Sequence, residues 1–494
     1  LPSPPGRGAG GEGNGFDAVI GNPPWDRIKL QEVEWFAERQ PEIALQARAA
    51  DRKKLIAKEK ERNTPLWHEY AAASETAETA AQVARDCGDY PLLSSGDINL
   101  YSLFVERAQA LVAPGGIVGL LTPSGIAADK GASAFFRTLT EPAENGARLA
   151  ALYDFENRNN PGGSFFPDVD SRFKFCTLIF GGSQRRFEKT CCAFYLHDTA
   201  ELADPKRVLQ LSGEDFQLVN PNTGAAPIFK TPRDAHLTMQ IYRTHPVLVK
   251  RAGKDEQRAW PVRYVTRFHM TNDSDKFLTR AELEKEGYQP SVLNRWINKN
   301  EGAVPLYVGR MVHQYDHRHA HVTVNEENLH NAASGTVLTD VVKTDPAFFP
   351  EPQYWVRQAD VLPEMRLPWG LGFRDIARAT DVRTMIASIV PSPAAGNTLP
   401  LLIGLNAKQS YLLLSNMNSM AFDYIARQKA QTTHLNWYIL EQLPVIAPTT
   451  LDQSIGSMKI ADYIRTEVLA LTYTAHDLAP FARDLGHVET DGSV

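Results

Sequence analysis

Cysteine is scarce in this chain: four occur among 494 residues, Cys87, Cys176, Cys191 and Cys192. None forms a C-x-x-C pair and none stands at zinc-ligand spacing with a histidine. Neither a zinc site nor any other metal centre is therefore expected, and the four are read as reduced thiols of a cytoplasmic protein. Long apolar runs are missing as well; no stretch of about 18 such residues occurs, which excludes a membrane-spanning helix. The N-terminus lacks the charged-then-apolar order of a signal peptide. Positive charge is not in excess either, the formal net charge being -6. Binding to nucleic acid would therefore rest on a local basic face. What is present is a globular composition, 43% hydrophobic and 22% charged.

Residues 1–15, LPSPPGRGAGGEGNG, can bury almost nothing and read as a disordered linker. FDAVIG (16–21) reads as a short buried strand of the parallel type. Residues 29–90, rich in Ala, Glu, Lys, Arg and Gln, read as a helical insertion. NLYSLFVERAQALV (99–112) sets Leu100, Leu103, Phe104 and Leu111 at helical spacing, with Asp97 or Asn99 as N-cap and Pro114-Gly115-Gly116 as stop. GIVGLLTP (116–123) and LAALYDF (149–155) read as buried strands. FKFCTLIFGG (173–182) and CCAFYL (191–196) read as a hairpin around SQRRFEKT. This alternation predicts a doubly wound α/β sheet with an antiparallel edge across residues 16–200. Residues 201–494 have a different texture, with Pro/Gly/Asn-rich segments between short mixed elements. Aromatic and basic residues interleave there: Trp260, Arg263, Tyr264, Arg267 and Phe268, then Arg295 and Trp296, then Tyr307, Arg310, His313, Tyr315, His317 and Arg318.

The stretch Asn22-Pro23-Pro24-Trp25 follows the first strand directly. Asn22 carries a side-chain carbonyl acceptor. Proline has no N–H and a locked φ, so the Pro23 carbonyl is free and rigidly aimed. Two acceptors a short distance apart suit an exocyclic NH2 group, which has two donors. Accepting both hydrogen bonds draws the nitrogen toward a pyramidal geometry that exposes its lone pair. Trp25, held out by the prolines, can stack on a planar base for about 1–3 kcal/mol. The constellation orients and activates an aromatic amine; it holds no acid–base pair and no covalent nucleophile. The tetrapeptide alone is equally an ordinary strand-to-loop turn. Its position at the carboxyl end of an apolar strand, where α/β sheets place ligands, favours the functional reading.

FDAVIGNPPW resembles the catalytic motif of S-adenosylmethionine-dependent amino-methylating DNA methyltransferases. DINLYSLFVERAQALVAPGGIVGLLTPSGI resembles the next motifs of the adenine-N6 enzymes with the gamma motif order. YDFENRNN and SFFPDVDSRFKFCTLIF resemble the part after that. VPLYVGRMVHQYDHR (304–318), LPWGLGFRDIARATDVRTMIASIVP (367–391) and QTTHLNWYILEQLPVI (431–446) are similar to the target-recognition region of type IIG restriction–modification methylases.

The resemblance implies the second half of a Rossmann-like methyltransferase sheet over residues 16–200 and a mixed α+β recognition domain over 201–494. The implied activity is site-specific methylation of adenine N6 in double-stranded DNA, with S-adenosylmethionine as cofactor, in a restriction–modification or phage-defence system. The adenine must leave the duplex, since its amine is inaccessible in the stack. It would lie between Trp25 and Phe166, with Phe165 and Phe173 as alternatives to Phe166, while Asn22 and Pro23 hold N6 beside the methyl group. Arg310, His313, Gln314, Arg318, Arg374 and Arg378 are candidates for phosphate or base-edge contacts. Thr433, His434 and Asn436 resemble a recurrent segment of these recognition domains.

The match breaks at one point. The family's Gly-rich cofactor motif and ribose-binding acidic residue precede its catalytic motif in the gamma order, and here only the linker does. Gly10-Gly11-Glu12-Gly13 follows no strand, and no nuclease motif is found; Asp168, Asp170 and Lys174 lack its spacing. The chain is thus expected to be N-terminally truncated, to need a missing N-terminal half or a partner subunit, and by itself to aggregate and not to methylate DNA. Two other classes stay open. One is RNA adenine or protein-glutamine methylation, disfavoured by the long region after residue 200. The other is a DNA-recognition subunit without catalysis, disfavoured by the intact Asn22–Trp25 and favoured by the missing cofactor motif.

Overall fold

The structure, a computed structural model, describes residues 15–45, 49–96, 98–158, 163–171, 173–253, 255–270, 272–299, 301–323, 334–361, 368–378, 381–391, 394–430 and 434–487. The linker through residue 14, Asp97 and Thr433 lie outside them. Two compact units divide between Met239 and Gln240.

In the first unit the FDAVIG segment forms β1 (Phe16–Gly21), which pairs in parallel with β2 (Val112–Pro123). Between them run α1 (Glu32–Ala37), α2 (Pro41–Ala44), α3 (Ala49–Glu61), α4 (Pro65–Asp86) and α5 (Leu100–Leu111). Thr64 caps α4, its hydroxyl accepting from the Trp67 N–H at 3.2 Å with Pro65 in the first turn. Asn99 occupies the N-cap position of α5, but its side chain makes no capping bond. The Asp26 carbonyl instead accepts from the Leu100 N–H at 2.8 Å, tying the loop after Trp25 to the start of α5.

The helix ends at Leu111 and β2 begins at Val112, so Pro114-Gly115-Gly116 lies within the strand rather than stopping the helix. Gly116 is there for space, since a Cβ would stand 2.8 Å from both the Phe16 and Asp17 carbonyls of β1.

Strands β3 (Leu149–Glu156), β4 (Lys174–Gly181), β5 (Thr190–Leu196) and β6 (Leu209–Leu211) complete a mixed sheet of six, ordered β1-β2-β4-β3-β5-β6. Strands β1, β2, β3 and β5 point one way, and β4 and β6 run against them. The expected β4–β5 hairpin does not form. β4 inserts between β2 and β3, and β5 pairs in parallel with the far side of β3. The intervening SQRRFEKT segment instead crosses the start of β3, where Phe187 and Ala147 exchange both backbone hydrogen bonds. An antiparallel strand is therefore internal, not only at the edge. The core on the two faces of the sheet includes Phe135, Phe136, Leu152, Leu178, Phe180 and Phe194.

β1 is parallel as expected but not buried: Phe16 is 46% and Ile20 85% exposed. The reason is position, because β1 ends the sheet and no described strand covers its outer edge.

Among the described residues the second unit holds two larger antiparallel sheets, besides three two-stranded ones. One orders Phe277–Leu278, Trp355–Arg357, Glu301–Pro305, Trp296–Asn298 and Gln289–Pro290; the other orders Ala387–Pro391, Trp369–Phe373, Leu401–Ile403 and Arg263–Val265. Many of the interleaved aromatics are core residues: Trp260, Phe268, Trp296 and Tyr307 are buried, and the Trp260 indole donates to the Ile446 carbonyl at 3.1 Å. The four cysteines form no disulfide. Among the described residues no helix is long and apolar enough to cross a membrane.

An exposed apolar edge strand templates self-association, and a lysine on it blocks pairing. Ile20→Lys should lower the aggregated fraction in sedimentation velocity while leaving the circular dichroism spectrum and melting temperature unchanged.

Candidate functional site

The carboxyl ends of β1, β2 and β3 lie along one edge of the first unit's sheet, together with the start of β4. Asn22-Pro23-Pro24-Trp25 leaves β1 at this edge, and the loop carrying Phe165 and Phe166 leaves β3 there. Phe175, on β4, stands opposite both Pro123 of β2 and Phe155 of β3. Asn22 and Pro24 are exposed, Pro23 is buried, and Trp25 and Phe166 are half-buried.

The rings of Trp25 and Phe166 meet edge to face, with centroids 5.3 Å apart and planes at 66°. Phe175 forms the floor, 6.2 Å from Trp25 and 5.0 Å from Phe166, and it stacks on Phe155 at 5.3 Å and 10°. Of the two alternatives to Phe166, Phe165 packs its ring on Phe155 and Phe175, and Phe173 is 57% exposed. The Trp25 indole N–H is buried without a hydrogen-bond partner among the described residues.

Asn157, which sequence reasoning missed, organises this loop. Its side chain accepts from the Phe166 N–H at 2.9 Å and donates to the carbonyls of Phe166 at 2.9 Å and Val169 at 3.1 Å. Its own carbonyl accepts from the Ser164 hydroxyl at 2.7 Å, and its N–H donates to the Phe173 carbonyl at 3.2 Å. In sequence it is one asparagine of an Asn-rich run after a strand, a pattern that marks a turn and nothing more.

Asp154 and Glu156 alternate with Phe155 along β3 and so face the other side of the sheet. Lys174 stands 3.7 Å from Asp154 and 3.5 Å from Glu156, and the His197 ring bonds Glu156 at 2.8 Å. Burial pushes the Asp154 carboxyl up, against the pull of Lys174 and the Ser124 hydroxyl. Burial also pushes Glu156 up, but the His197 bond, Lys174 and Arg158 outweigh it and hold that carboxyl below its ordinary range. This network braces the end of β3 from which the Phe166 loop departs.

The proposed DNA contacts lie in the second unit. Arg310 and Arg378 are exposed. Arg374 is half-buried, its Nε donating to the carbonyls of Gly309 and Val312 at 2.8 Å each, and Gln314 donates to the Asn418 carbonyl at 3.1 Å. His313 and His319 face each other with ring centroids 4.8 Å apart. Burial and Arg374 depress the His313 ring, while burial, His313 and Arg374 push His319 down to about 4. Both are therefore neutral imidazoles at pH 7 and contribute hydrogen bonds rather than charge.

Arg318 is a correction. It is fully buried, and its guanidinium donates to four backbone carbonyls, those of Asp345, Phe348, Lys343 and Thr474, at 2.7–3.0 Å. It fastens chain segments together and offers no surface to DNA. His317 beside it is likewise buried, bonded to Asp477 at 2.9 Å. His434 bonds Asp375 at 2.5 Å, and Asn436 stands at the N-cap of a short helix, Trp437–Leu440.

No family model matches the chain, and no curated protein does. The solved structures to which it is similar include the following three. The first is the type IIG restriction endonuclease BpuSI, with 12% identity, a TM-score of 0.29, and coverage of 84% of this chain and 52% of that one. The second is DrdV in complex with DNA, with 10% identity, a TM-score of 0.33, and coverage of 92% and 44%. The third is the type IIL restriction-modification enzyme MmeI in complex with DNA, with 9% identity, a TM-score of 0.36, and coverage of 83% and 52%. The chain spans about half of each structure's length or less.

Removing the Arg318 guanidinium strands buried carbonyls. Arg318→Met should cost at least about 3 kcal/mol in urea unfolding, whereas Arg310→Ala should change stability little. The His319 shift has a definite sign. Its folded pKa lies below the ordinary 6.5, so as pH falls from 6.5 toward about 4 the unfolded chain takes up a proton that the folded chain does not, and stability is lost. His319→Gln should therefore gain melting temperature relative to the wild type across that window, with a constant difference above pH 7.

Proposed function

We propose that the first unit holds an adenine flipped out of double-stranded DNA and presents its N6 amine for methylation, with the second unit contacting the DNA, as in the modification arm of a restriction–modification system. The observation that supports this most directly is the meeting of Trp25 and Phe166. These rings, far apart in sequence, come together at the carboxyl edge of the sheet, and Asn22, which is exposed, and Pro23 precede Trp25 in the same loop.

A flipped base has two aromatic faces and a hydrogen-bonding edge. Trp25 and Phe166 supply the faces. The Asn22 side-chain oxygen and the Pro23 carbonyl accept hydrogen bonds from the two N6–H groups, which localises the lone pair on nitrogen. The groups do this by position and fixed dipoles, without a general base or a nucleophile of the chain.

The methyl donor in this reading is S-adenosylmethionine. The described residues do not fit it: no strand is followed by a Gly-rich turn with an acidic residue, and no described strand lies beyond β1 to carry one. Asn22 and Pro23 would border the transferred methyl group.

On the DNA side, Arg310 and Arg378 are exposed for phosphate contacts. Arg374, Gln314 and the neutral His313 suit hydrogen bonding to base edges.

Cross-linking tests this without a methyl donor. Mixed-sequence duplex DNA carrying 8-azidoadenine in place of adenine is irradiated with the chain, and the adducts are mapped by peptide mass spectrometry. Adducts should fall on Trp25 and Phe166. Base stacking of about 1–3 kcal/mol implies a roughly 5- to 150-fold lower yield on the remaining partner when either ring is replaced by alanine. Adducts confined to the second unit would sink the reading.

A further inference from the structure

We propose that Asn157 is a positioning residue that fixes Phe166 as the rigid wall of the base slot, leaving Trp25 as the wall that moves. This rests on the adenine-binding reading above.

The slot is closed. A base stacked on both faces needs its walls parallel and about 7 Å apart, twice the contact distance of about 3.5 Å. The two rings instead touch edge to face at 5.3 Å and 66°. One of them must swing aside before a base can enter, and the hydrogen bonding of the two loops says which.

Phe166 is tied at both ends of its own residue, because Asn157 takes its N–H and gives an N–H to its carbonyl. The same side chain holds Val169, and the Asn157 backbone holds Ser164 and Phe173. Four points of the loop therefore converge on a single side chain and backbone that are only 1% exposed. Beneath it, the ring of Phe166 meets Phe175 at 83°, and Phe175 is stacked on Phe155. Only a carboxamide meets this pattern of one acceptor and two donors; a carboxylate would face two carbonyls with no proton to give.

Trp25 is held differently. Its loop is pinned beyond the ring, where the Asp26 carbonyl accepts from Leu100 and the Ile28 N–H donates to Ile98. Its indole N–H has no partner among the described residues, so no hydrogen bond from them resists rotation of the side chain.

Fluorine NMR of the full chain labelled with 5-fluorotryptophan tests this. The chain has eight tryptophans, and Trp25→Phe assigns the Trp25 resonance. Titration with 2′-deoxyadenosine 5′-monophosphate should shift that resonance and leave the other seven in place. Asn157→Ala should weaken the titration about tenfold, and Ser164→Ala roughly threefold, with the other resonances unmoved. If Asn157→Ala disturbs those resonances, Ser164→Ala alone decides. A titration midpoint equal to wild type in the deciding variants overturns the role of Asn157 while adenine binding stands. No shift of Trp25 in the unsubstituted chain means that the adenine reading itself fails, a result independent of either variant.

Discussion

Insertion of the antiparallel strand β4 between two parallel strands decides the rest of the first unit. If β2 and β3 were neighbours, their carboxyl ends would lie side by side and the loop after β3 would have no floor to rest on. With β4 between them, a strand begins where its neighbours end. Its second residue, Phe175, stands opposite Pro123 on one side and Phe155 on the other. That ring is the surface on which both Trp25 and Phe166 settle. Two loops that leave different strands are thereby brought to one place by backbone pairing, before any ligand takes part.

The alternation of β3 then separates two kinds of work. Tyr153 and Phe155 pack with the aromatic cluster, while Asp154 and Glu156 form the ion network with Lys174 and His197 on the opposite face. Asn157 follows at the strand's end and turns this brace into a hold on the loop. The second unit uses the same economy with Arg318, whose guanidinium closes four carbonyls of irregular backbone that no ladder could satisfy.

What could be read from the sequence was local. Strand periodicity located β1 through β5, and the helical spacing of Leu100, Leu103 and Leu111 located α5. The chemistry of Asn22-Pro23 follows from two residue types and their adjacency. What could not be read was pairing. FDAVIG has the composition of a buried strand, yet whether it is covered depends on its place in the sheet order. FKFCTLIFGG and CCAFYL are close in sequence, which favours a hairpin, but β3 competes for both and takes the place between them. Arg318 looks like any basic residue in an aromatic segment; its burial depends on carbonyls supplied by residues 343–348 and by Thr474. The pairing of Trp25 with Phe166 rather than Phe165 was legible only through a family resemblance, since adjacent phenylalanines point to opposite sides and the sequence alone does not say which side faces the tryptophan.

The unpaired indole N–H of Trp25 carries an energetic consequence. A buried donor without an acceptor costs about 1–3 kcal/mol, while an edge-to-face aromatic pair returns about 0.5–1.5 kcal/mol beyond its burial. The two are of similar size and opposite sign. The closed ring pair therefore sits in a shallow well, held mainly by the apolar area it hides, and turning the indole toward water recovers what its N–H had lost. The ring pair thus opens at small cost, and on the adenine-binding proposal the discrimination between bases would fall on the groups that meet the incoming edge, Asn22 and Pro23, rather than on the work of parting the rings.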